Sequence, residues 1–90
     1  MVYTKLILDT RKKTASSEFS IKLRLTYNRE QKYFLTGYKL SENDFAEVMK
    51  SVPPKKFKDL RIQLDHIDLK AKSVISKLDY FSFILFEEKF

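Results

Sequence analysis

Ten consecutive residues alternate strictly between apolar and polar character. Phe19, Ile21, Leu23, Leu25 and Tyr27 are interleaved with Ser20, Lys22, Arg24, Thr26 and Asn28. A repeat of two places one set on each side of a β-strand, with one face buried and the other wet. A half-buried strand of this kind belongs to an antiparallel sheet covered on one side only. Flanking segments supply its neighbours. Val2–Thr10 (VYTKLILDT) is aliphatic and β-branched and reads as a first strand, and Lys32–Tyr38 (KYFLTGY) as a third, with Gly37 weakening or bulging its end. Residues 11–18 (RKKTASSE) form a long polar loop, and Asn28-Arg29-Glu30-Gln31 a turn.

The chemistry changes at Ser41. Ser41 followed by Asp44 puts a hydroxyl and a carboxylate at capping-box spacing ahead of Phe45, Val48 and Met49, so a short helix is expected to run to about Lys50, where Pro53-Pro54 stops it. From Phe57 the apolar spacing turns helical for about thirty residues: Phe57, Leu60, Leu64, Ile67, Ala71, Val74, Leu78, Phe81 and Leu85. Ile62 and Leu69 fall on the far side of that helix. The expected fold is α+β, a three-stranded antiparallel sheet packed on a long C-terminal helix with a short helix between. Tyr80–Phe90 (YFSFILFEEKF) is too apolar to stay in solvent; it either packs back on the domain or belongs to a further one.

Ninety residues make one domain. With one glycine there is no glycine-rich phosphate loop; without cysteine there is no thiolate metal site, disulfide or thiol nucleophile. The single histidine, His66, has no second ligand nearby in sequence, and Asp65 and Asp68 read as helix surface charges balanced by Lys72. No metal, cofactor or catalytic constellation is expected. Nor does any apolar run reach the roughly 20 residues of a membrane span, so a soluble, cytoplasmic protein is expected.

Charge indicates the partner. Residues 1–40 hold nine basic side chains (Lys5, Arg11, Lys12, Lys13, Lys22, Arg24, Arg29, Lys32, Lys39) and three acidic ones (Asp9, Glu18, Glu30), whereas residues 41–90 hold nine of each sign. The whole net charge of +6 therefore lies in the sheet region, as suits a polyanion. With a helix over the apolar face, the polar face is expected to show Lys5, Lys22, Arg24, Thr26 and Asn28, joined by Lys32, Phe34 and Thr36 from the third strand. Arg24 and Asn28 have the side chains that pair with guanine and adenine edges. Lys5, Arg11, Lys12, Lys13, Lys22, Arg29, Lys32 and Lys39 suit phosphates, and Thr26 and Thr36 a phosphate or a thymine methyl. The alternative is a protein-interaction module dimerising through the heptad-like helix 57–85.

The order KLILDTRKK … FSIKLRLTYNREQKYFLTGYKLSENDF resembles the N-terminal arm-type DNA-binding domain of tyrosine recombinases, the integrases of bacterial mobile elements. The matching positions are Ile21, Leu23, Arg24, Leu25, Thr26, Asn28, Arg29, Lys32, Tyr33, Thr36 and Gly37. The resemblance implies a three-stranded sheet placed in the major groove of double-stranded DNA at arm-type sites during DNA integration and recombination. It also implies work alongside other integrase protomers and DNA-bending accessory proteins. On that reading the chain is a fragment without the recombinase's catalytic domain and not an enzyme by itself. Residues 1–79 would be the arm-type domain, and 80–90 the start of a helical core-binding domain.

Overall fold

A computed structural model describes residues 1–11 and 17–90. Three strands, β1 (Val2–Asp9), β2 (Phe19–Tyr27) and β3 (Glu30–Leu40), form an antiparallel sheet in the order β1-β2-β3. They are followed by α1 (Glu42–Val48), a single 3-10 turn (Lys55–Phe57), α2 (Lys58–Lys77) and α3 (Phe83–Lys89). The architecture is the expected α+β one, with a sheet on one side and helices on the other.

The central strand sets the layers. Ile21, Leu23 and Leu25 are fully buried and meet Leu6 of β1, Val48 of α1, Leu64 and Ala71 of α2 and Phe86 of α3, and Phe19 is nearly as buried. α2 is fixed over β1 by Thr4, whose hydroxyl donates to Asp68 at 2.6 Å. It is tied to the end of α1 by Arg61, whose Nη1 donates to the Val48 and Lys50 carbonyls at 2.9 and 2.7 Å. The first of these bonds satisfies a carbonyl that the helix end leaves open. α1 begins as its sequence directs, with the Ser41 hydroxyl accepting from the Asp44 amide.

Three expectations are corrected. The hairpin joining β2 and β3 is tighter than a four-residue turn: Asn28 and Arg29 both adopt positive φ (52° and 67°) and Tyr27 pairs directly with Glu30. Both central residues at positive φ mark a type I′ turn, whose twist matches the strands. Because the loop holds an even number of residues, Leu23 faces Phe34 and Leu25 faces Lys32. Lys32 and Phe34 therefore lie on the helix-covered side, and Tyr33 and Leu35 take the open side, the reverse of the expected phase.

The second correction concerns the long helix. α2 stops at Lys77, the backbone is extended at Leu78, and α3 starts anew with the Ser82 hydroxyl accepting from the Leu85 amide. A continuous helix over 57–85, the premise of the dimer alternative, is absent. The seam residues Leu60, Leu64, Ile67, Ala71 and Val74 pack into this chain's own core.

Thr36 is the third. β3 spends two extra residues around Gly37 (φ 88°) between the Lys22–Leu35 and Ser20–Lys39 pairs, and the Thr36 hydroxyl fills the gap by donating to the Ile21 carbonyl at 2.7 Å. Thr36 thus serves the bulge instead of projecting from the open face.

Tyr80–Phe90 packs back on the sheet. Phe86 is wholly buried, its ring 5.2 Å from Phe34 and 4.9 Å from Phe90, while Phe81 lies 4.8 Å from Tyr27. Phe86→Ala is expected to cost about 3–5 kcal/mol of unfolding free energy, read from urea denaturation with an unchanged slope.

Candidate nucleic-acid interface

Among the described residues, the strand positions that point away from the helices fall in four cross-strand rows. Antiparallel partners share a face, so the register gives them directly: Tyr3–Thr26–Gln31, Lys5–Arg24–Tyr33, Ile7–Lys22–Leu35 and Asp9–Ser20–Lys39. The cations stand at the centre because the odd residues of β2 are apolar and buried, which leaves Lys22 and Arg24 no other side.

Lys22 and Arg11 are held by one carboxylate. Asp9 accepts from Lys22 Nζ at 2.6 Å, and from Arg11 Nε and Nη2 at 2.9 and 3.0 Å. The Arg11 guanidinium also lies 5.6 Å from the centre of the Tyr33 ring, so it reaches across the open face to β3. The Arg11 and Lys22 hydrogen bonds hold the Asp9 carboxyl far below its ordinary value of 3.8. Asp9 cancels one of these two charges and orients both.

Lys5, Arg24 and Lys39 have no ion-pair partner among the described residues. Arg24 is half-buried by its neighbours, and its Nε is shielded from solvent with no hydrogen-bond partner among the described residues. A shielded, unsatisfied donor costs free energy, and the cation directly opposite it in the register, Lys5, adds like-charge repulsion. The arrangement is unfavourable for a sheet alone and favourable for one that receives an anion.

The remaining sequence candidates divide between the open face, its edge and the far side of the sheet. Thr26 stands on the open face, one row beyond Arg24. Asn28 and Arg29 form the hairpin tip at its edge. Lys32 is on the opposite side, paired with Glu87 of α3 at 2.7 Å, because of the inverted phase of β3. Lys12 and Lys13 lie outside the described residues. Sequence reasoning missed Asp9, Tyr33 and Leu35. Counting the parity of the β2–β3 loop would have found the last two, and continuing the Tyr3–Lys5–Ile7 alternation would have found Asp9.

No helix among the described residues is long and apolar enough to cross a membrane. Nor do the described residues bring together three His, Cys, Asp or Glu side chains able to hold a metal ion.

A small helix-backed sheet with a cationic face that Asp9 compensates only in part has the charge that suits a polyanion. Comparison with known families agrees: the model of the arm DNA-binding domain matches residues 6–82, and the chain belongs to that family. No curated protein and no solved structure matched.

Two outcomes follow. Lys5→Gln should stabilise the DNA-free protein by up to about 0.5 kcal/mol at low salt, and by less at high salt, in urea unfolding. Because the Asp9 pKa is depressed, its stabilisation is complete above the ordinary carboxylate value and lost as pH falls below it. Asp9→Asn should therefore flatten the acid limb of a stability–pH profile while leaving the rest of its shape unchanged.

Proposed function

We propose that the open face of the sheet enters the major groove of double-stranded DNA, as the arm-site module of an integrase-type tyrosine recombinase. The observation that carries this reading is the row Lys5–Arg24–Tyr33, which sets two adjacent cations, unpaired among the described residues, on the solvent-facing side of the sheet. Its dimensions support it. Neighbouring strands are about 4.8 Å apart, so three strands span about 10 Å between outer axes, against a groove about 12 Å wide.

The residues divide by role. Arg24 projects from the middle strand, where it would reach deepest, and its planar fork suits guanine O6 and N7. Lys22 and Arg11, oriented by Asp9, together with Lys5 and Lys39, flank it and suit phosphates. Asn28 and Arg29 at the hairpin tip suit the backbone at the groove's edge, and Thr26 a phosphate or base edge one row on. Lys12 and Lys13, which follow Arg11 in sequence, suit phosphates by charge alone. Lys32, engaged with Glu87, is left out of the contact set.

In this proposal the module binds arm-type sites away from the strand-exchange site and carries no catalytic residue. The recombination chemistry would come from a catalytic domain outside these 90 residues. Other integrase protomers and DNA-bending proteins would be its partners, in the cytoplasm of a cell carrying the mobile element. Residues 80–90, though packed on the sheet, would also lead toward the core-binding domain.

Neutralising about five phosphates gives a slope of about −4.5 for log affinity against log salt. Fluorescence anisotropy between low and moderate salt checks it, and a flat response would reject the proposal. In the same assay Arg24→Ala should lose about 1–3 kcal/mol of preference for a selected duplex over random sequence. Lys39→Ala should weaken both alike and reduce the slope by about one.

A further inference from the structure

The open face is apolar on its outer strands as well as cationic at its centre. Leu35 is 75% exposed on β3, directly across from Lys22, with Ile7 completing the row. It borders a shallow recess of about 300 Å³ that Ser20, Gly37, Tyr38 and Lys39 also line, where the bulge draws β3 away from its regular course. A solvent-facing strand position ordinarily takes a polar or charged side chain. Here an aliphatic one stands beside Lys22 and shares a recess with Lys39. Polyanion binding at those lysines would bring the apolar side chain against whatever the polyanion presents.

In the major groove only thymine presents an apolar group, its C5 methyl. We infer that Leu35 is a specificity-determining residue that packs against a thymine methyl; this rests on the groove-binding reading above. Leu35 stands diagonally from Arg24, because Arg24 pairs with Tyr33 and Lys22 with Leu35. Diagonal neighbours on a sheet are about 7–8 Å apart, and bases along a strand rise by about 3.4 Å. The preferred site therefore places a thymine about two base steps from the guanine that Arg24 reads.

The test begins with selection of duplexes from a random-sequence pool by the purified protein. The best-bound duplex is then resynthesised with deoxyuridine for each thymidine, which removes only the methyl groups. Burial of one methyl predicts about a three- to fivefold weaker affinity for the uracil duplex with the wild-type protein. With Leu35→Ala the thymine-to-uracil ratio should collapse toward one. Leu35 is exposed, so the variant should keep its circular dichroism and unfolding midpoint. Equal affinity of the wild type for both duplexes, or an undiminished ratio in Leu35→Ala, overturns the assignment while leaving groove binding intact. Failure to retain any duplex at low salt overturns both.

Discussion

Burial of one side of β2 is the constraint from which the rest of the structure follows. Ile21, Leu23 and Leu25 are completely removed from solvent, each contributing about 1.5–3 kcal/mol relative to exposure. A slip of one residue would exchange them with Lys22 and Arg24 and place two cations in an apolar core. Register is thus enforced by the hydrophobic face, and the positions of the charges on the other face are its consequence. The tight hairpin at Asn28-Arg29 transmits that register to β3, and the bulge at Gly37, which adds two residues, preserves the phase through to Leu40.

On the open face, stability and binding pull against each other. Lys5 and Arg24 face each other across the ladder, and the shielded Arg24 Nε lacks a partner among the described residues. One carboxylate, Asp9, offsets part of the repulsion and holds Lys22 and Arg11 in place. Orienting cations before binding removes some of the side-chain ordering that a phosphate contact otherwise costs. On the far side α3 seals the sheet through the buried Phe86, and the half-exposed Lys32 pairs with Glu87.

Much of this was legible from residue order, and the failures have identifiable causes. The alternation of Phe19–Tyr27 is a strong local signal, and the polar face it implied is the one observed. Ser41 likewise marked the start of α1. The phase of β3 was misread because it depends on whether the connecting loop holds an odd or even number of residues, which side-chain polarity around Lys32 and Phe34 obscures. The break after Lys77 was invisible to periodicity, since Leu78, Phe81 and Leu85 continue the same spacing. Length explains it: twenty helical residues span about 30 Å, close to the about 30 Å of the nine-residue strand β2. A helix running on to Leu85 would overshoot the sheet, whereas turning back buries Phe86. The pairing of Asp9 with both Lys22 and Arg11 depends on strand register and could not be read from sequence separation.

The central claim is that the open face of the sheet, and not the helical side, meets DNA. Amide and side-chain NMR shifts followed during titration with a duplex test it most directly. The account predicts that the largest changes fall on Lys5, Lys22, Arg24, Tyr33 and Leu35, with Ile62 and Leu69 on the outer side of α2 unmoved. Shifts concentrated on α2, with the sheet rows unchanged, would contradict it.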